Sequence, residues 1–85
     1  MNQIIFISMP NCGSCRKLEN ALDYSGIEIP EHKIIDPSNE DDLEWANNLN
    51  IITFPTIIKL DENGKEISRL TGLQPLTKIR QFLID

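Results

Sequence analysis

The sequence predicts an α/β fold: a mixed four-stranded sheet with helices on both faces, in the order β-α-β-α-β-β-α. Three observations lead there. Strand-like and helix-like patterns alternate along the whole chain. The first apolar run, Ile4 to Ser8, is apolar on both faces, as in a strand covered on both sides. Asp61-Glu62-Asn63-Gly64 is a hairpin signal and requires an antiparallel pair, whereas the long connection through the first helix requires a parallel one.

Each element has its own justification. Ile4 to Ser8 reads as a central strand. Cys12 to Ser25 reads as a helix with Cys15, Leu18 and Leu22 on one face and Arg16, Lys17, Glu19 and Asn20 mostly outside. Gly26 stops it. His32 to Asp36 is a short second strand whose apolar content is Ile34 and Ile35, broken by Asp36-Pro37-Ser38. Ser38 is the expected cap of a second helix, with Asp41 three residues on and Glu40, Asp41 and Asp42 in the first turn, where negative charge is favoured. Leu43, Ala46 and Leu49 form its inner stripe, and Trp45 lies beside that stripe. Thr56 to Leu60 is the third strand and Glu66 to Leu70 the fourth, ended by Gly72. Pro75 suits the first position of a last helix. Leu76, Ile79, Phe82 and Leu83 supply that helix's core face.

Composition bounds the function. The 85 residues suffice for one small domain, residues 1–85, and 40% are apolar, adequate for one core. The net charge is −5 and the basic residues are dispersed, which argues against a nucleic-acid surface. No apolar run approaches the roughly 20 residues that span a bilayer. Met1-Asn2-Gln3 lacks a basic leader, so a cytoplasmic protein is expected, and a monomer. In a reducing compartment, a close cysteine pair points to catalysis or metal binding rather than to a structural bridge.

That pair is Cys12-Gly13-Ser14-Cys15, between the first strand and the first helix. Two thiols at this spacing can close into a small reversible disulfide. Amides at a helix start carry partial positive charge and favour a thiolate over a thiol, which makes Cys12 the expected nucleophile and Cys15 the resolving thiol. Two other readings stay open from the residues alone. The thiols could be inert and buried, or they could bind metal. One CxxC and the single His32 give three soft ligands where structural zinc wants four, which leaves a cluster shared between chains. Gly13 permits close substrate approach or is an ordinary corner glycine. Ser14 tunes the sulfur or is a solvated first-turn serine, and Pro10 fixes the approach to Cys12. His32 is structural or exposed.

The order, the size and the CxxC after the first strand resemble the thioredoxin fold across essentially the whole chain. Thr53-Phe54-Pro55-Thr56 resembles that family's cis-proline loop, with Pro55 facing the cysteines. Within the family the match is mixed. Ser8-Met9-Pro10-Asn11-Cys12 and the short chain resemble glutaredoxins and glutaredoxin-like redoxins that serve ribonucleotide reductase. Thr71-Gly72-Leu73-Gln74-Pro75 is similar to a stretch of those redoxins. Cys-Gly-x-Cys, Phe54-Pro55-Thr56 and Asn63-Gly64-Lys65-Glu66 are similar to thioredoxin. Three positions depart from thioredoxin. Asn11 stands where it has Trp, Ser14 where it has Pro, and Phe6 where it has a buried Asp that assists proton transfer. The acidic turn that binds the glutathione carboxylate in glutaredoxins is replaced by Gly72-Leu73-Gln74-Pro75.

The resemblance implies a thiol–disulfide oxidoreductase of thioredoxin type that reduces protein disulfides through Cys12 and Cys15 and is recharged by thioredoxin reductase. It implies no bound cofactor beyond the redox-active Cys12–Cys15 disulfide. A substrate strand would lie against Phe54 and Pro55, flanked by Gly13, Ser14 and Gly72. The alternatives are a glutaredoxin-like electron donor to ribonucleotide reductase and a non-enzymatic thioredoxin-fold binding module.

Overall fold

The computed structural model describes residues 2–85. The elements are β1 (Gln3–Ser8), α1 (Gly13–Tyr24), β2 (Glu31–Ile34), α2 (Glu40–Asn48), β3 (Thr56–Leu60), β4 (Glu66–Thr71) and α3 (Leu76–Ile84). They form one four-stranded sheet in the order β2-β1-β3-β4. β1 and β2 are parallel, β1 and β3 antiparallel, β3 and β4 antiparallel. The predicted mixed sheet and element order are therefore present.

The central strands are apolar on both faces because both faces are covered. Phe6 and Ile57 point to one side and meet Leu18 and Leu22 of α1 and Ile79 and Phe82 of α3. Ile5, Ile7, Ile58 and Leu60 point to the other and meet Ala46 of α2, Ile35 and Ile51. Alternating side chains thus feed two cores from one sheet. Leu76 and Leu83 pack on the first core and Leu49 and Trp45 on the second, all partly buried.

Several local expectations change. The cap of α2 is Asn39, not Ser38: its side chain accepts the Asp42 N–H at 3.1 Å. Ser38 instead gives both its N–H and its hydroxyl to Asp36, closing a turn one residue earlier. Leu43 is 40% exposed and leaves the inner stripe to Ala46, Leu49 and Trp45. β2 begins and ends earlier than expected, at an edge of the sheet, so Ile34 faces solvent while Ile35, beyond the strand, is buried. Pro75 is the residue before α3 rather than its first residue.

Helix ends show why the chain turns where it does. Gly26 takes φ +69° after α1, and the Ile27 N–H reaches back to the Leu22 carbonyl while that of Gly26 reaches Asp23. Asn50 does the same after α2 with φ +54°, the Ile51 N–H reaching Ala46 and its own N–H reaching Asn47. These left-handed caps satisfy carbonyls that the helices leave free.

Candidate functional site

Cys12 and Cys15 are joined as a disulfide, with Cα atoms 5.2 Å apart. Asn11, with φ +58°, turns the chain out of β1, a conformation Asn tolerates better than most residues. Cys12 is then the N-cap of α1: its sulfur accepts the Cys15 N–H at 3.2 Å. A helix amide thus points at the leading sulfur, where it favours negative charge. The two sulfurs differ in access. Cys12 is half-buried, whereas Cys15 is 2% exposed. Only the first is open to an incoming disulfide.

Ser14 lies between the disulfide and the proline loop. Its Oγ is 3.4 Å from Cys12 Sγ and donates to the Phe54 carbonyl at 3.3 Å. The Phe54–Pro55 peptide is cis. The Phe54 ring packs on the α2-side core, so it is the Phe54 backbone that reaches the site. Thr56 Oγ1 donates to the Thr53 carbonyl at 2.5 Å, and the Gly72 N–H donates to the Pro55 carbonyl at 2.7 Å. Gly72 has φ +72°, a position that favours glycine, and it ties the end of β4 to this loop. Gly13 is exposed, and a Cβ placed there would meet nothing within 4 Å. Cys12, Gly13, Ser14, Phe54, Pro55 and Gly72 therefore converge at one end of the sheet. Phe6, where thioredoxins have an acid, is fully buried, with its ring centroid 5.3 Å from that of exposed His32.

Two supporting side chains were missed in reading the sequence. Arg69 of β4 donates to the Leu49 carbonyl at 2.6 Å and the Asn50 carbonyl at 3.1 Å, clasping the segment that leads into the proline loop. Glu66 holds its guanidinium through two oxygens, which raises the Arg69 pKa and lowers that of Glu66. Lys59, 3% exposed, donates to the carbonyls of Phe82 and Asp85 at 2.6 and 2.8 Å. A lone charge inside Ile57-Ile58-Lys59-Leu60 was a legible signal for Lys59. Nothing in the sequence pointed Arg69 at α2.

Among the described residues, no group of three or more His, Cys, Asp or Glu side chains is placed to hold a metal ion, and no helix is long and apolar enough to cross a membrane.

The comparisons agree with this geometry. A family model described as "Thioredoxin-like domain" matches residues 2–85. The chain is 27% identical over 73 residues to the SPbeta prophage-derived thioredoxin-like protein YosR of Bacillus subtilis (strain 168), covering 86% of this chain and 85% of that one. Among solved structures it resembles a thioredoxin of Malassezia sympodialis with TM-score 0.72 and 18% identity, over 98% of this chain and 72% of that one. It also resembles a thioredoxin-fold protein of Helicobacter pylori with TM-score 0.72 and 20% identity, over 96% of this chain and 66% of that one. A match over residues 2–85, with a CxxC disulfide at the start of α1, means that this chain belongs to the thioredoxin-like family and carries a centre of thiol–disulfide oxidoreductase type.

Proposed function

We propose that the protein reduces disulfides of protein substrates and is recharged by thioredoxin reductase. The observation that carries this reading is the asymmetry of the pair: Cys12 is accessible and capped by a helix amide, while Cys15 is buried one turn in. Cys12 thiolate attacks one sulfur of the substrate disulfide and expels the other as a thiolate. Cys15, losing its proton, then attacks Cys12. The second substrate thiolate leaves, the two thiolates take up protons, and the Cys12–Cys15 disulfide remains. The protein dithiol supplies both electrons. The substrate strand pairs with the backbone of Phe54, an extended-segment mode of recognition. Gly13 and Gly72 leave room for it.

Insulin-disulfide reduction tests this. Wild type recharged by thioredoxin reductase and NADPH turns over, Cys12→Ser falls to background, and Cys15→Ser holds targets as stable mixed disulfides. Normal turnover by Cys12→Ser would sink the nucleophile assignment, and a wild type that does not reduce insulin would leave a scaffold module as the reading. A second reading, a dedicated donor to ribonucleotide reductase, is supported by the Thr71-Gly72-Leu73-Gln74-Pro75 segment, which adjoins the proline loop through the Gly72 N–H. Faster recharging by glutathione than by thioredoxin reductase would favour that glutaredoxin-like role.

A further inference from the structure

We propose that the Ser14 hydroxyl is a redox-coupled hydrogen-bond switch: it covers the Phe54 carbonyl when the cysteines are oxidised and turns to the Cys12 sulfur, releasing that carbonyl, when they are reduced. The inference rests on the disulfide-reductase reading and adds a positioning residue to it.

The geometry limits what the hydroxyl can do. Ser14 Oγ sits 3.4 Å from Cys12 Sγ and 3.3 Å from the Phe54 oxygen. It has one hydrogen to give. In the disulfide, Cys12 has no proton to offer and its sulfur is a weak acceptor, so the hydrogen goes to the carbonyl. Reduction changes the contest. An external dithiol gives two electrons and becomes a disulfide. Cys15 takes one of its protons, the other goes to solvent, and Cys12 is left as a thiolate. A bond to an ionised acceptor is roughly twice as strong as a neutral one. The hydroxyl therefore turns to the thiolate without moving its oxygen, since both acceptors are already within reach. The Cys15 N–H, 3.2 Å from the same sulfur, supplies a second donor.

The consequence concerns substrate. Phe54 O is an acceptor that an extended strand would use. The reduced protein presents it to a disulfide target, and the oxidised protein covers it with its own side chain. The same residue that stabilises the thiolate thus helps the spent enzyme let go of product.

The test uses the whole chain, reduced chemically with dithiothreitol, so that it needs no protein substrate. The Phe54 carbonyl carbon is followed by NMR in both redox states, and the reduction potential is measured against dithiothreitol. In wild type the Phe54 carbonyl resonance should move upfield on reduction, as it loses its donor. In Ser14→Ala it should hold the upfield position in both states. Ser14→Thr, which keeps the hydroxyl, should restore the movement. Ser14→Ala loses the charged thiolate bond from the reduced state and the weaker carbonyl bond from the oxidised one, and the difference should favour the disulfide about tenfold, lowering the potential by about 30 mV. A Phe54 carbonyl that does not respond in wild type, or responds equally in Ser14→Ala, overturns the switch. So does a Ser14→Ala potential equal to or above that of wild type. Failure of insulin reduction would overturn the activity proposed above and leave these readouts standing.

Discussion

Lys59 is the sharpest test of how the fold is held. It sits in β3, one of the two central strands, and its ammonium reaches the C-terminal end of α3, where carbonyls have no helical partner. It also lies 4.6 Å from the centroid of the Phe82 ring. Lys59→Met keeps the stem and its apolar contacts but removes the donor. Three contributions are lost. Each charged hydrogen bond contributes about 1.5–3 kcal/mol, the cation at a helix C-terminus about 0.3–1 kcal/mol, and the cation over the ring about 1 kcal/mol. One contribution is recovered: the ammonium no longer has to leave water, which is worth several kcal/mol. The balance turns on the Phe82 carbonyl, which is left buried without a donor at a cost of about 1–3 kcal/mol. We expect a net loss of about 2 kcal/mol. For a domain of this size that lowers Tm by roughly 8–16 °C. Thermal unfolding followed by far-ultraviolet circular dichroism on the oxidised protein measures it. Hydrogen exchange should show the last turn of α3 losing protection while β1 amides keep theirs. A Tm equal to or above that of wild type would show that desolvation outweighs the clasp and would refute the reasoning.

Other consequences follow from the same contacts. Arg69→Ala should cost about 1–2 kcal/mol in urea unfolding. Arg69→Lys should recover less than half, because one ammonium cannot serve two carbonyls and the Glu66 fork together. Asp36, Asp42 and Glu66 all have lowered pKa values: Asp36 through the Ser38 hydroxyl and N–H, Asp42 through the Asp36 N–H and then Lys33, and Glu66 through Arg69. A depressed carboxyl stabilises above its unfolded pKa, about 4, and loses that contribution as pH falls through the folded value. Tm should therefore be level from pH 7 to 5 and fall below about pH 4, with a shallower fall in Asp42→Asn. Gly13→Ala should raise stability by up to about 1 kcal/mol, since Gly13 opens α1 and nothing crowds a Cβ there. If a substrate strand crosses Gly13, the same variant should raise KM for insulin several-fold with little change in kcat.

The loop at Pro55 was read from a family resemblance; the element order, the two-sided strands, the stop at Gly26 and the cysteine pair were legible in the residues themselves. Each of these is a local matter: side-chain period, a left-handed turn, or the spacing of two sulfurs. Their positions along the chain needed no partner to be read. What decided the rest was contact between segments far apart in sequence. The order β2-β1-β3-β4 depends on which strands two packed cores can share. The choice of Asn39 over Ser38 as a cap is the local exception: Asp36, two residues before Ser38, takes both of its donors. The reach of Arg69 to Leu49 and of Lys59 to Asp85 joins carbonyls to cations from other elements, and no local pattern encodes such a pairing. The same holds at the site. Ser14 and Phe54 are 40 residues apart, and only folding brings one hydroxyl within reach of both a sulfur and a carbonyl.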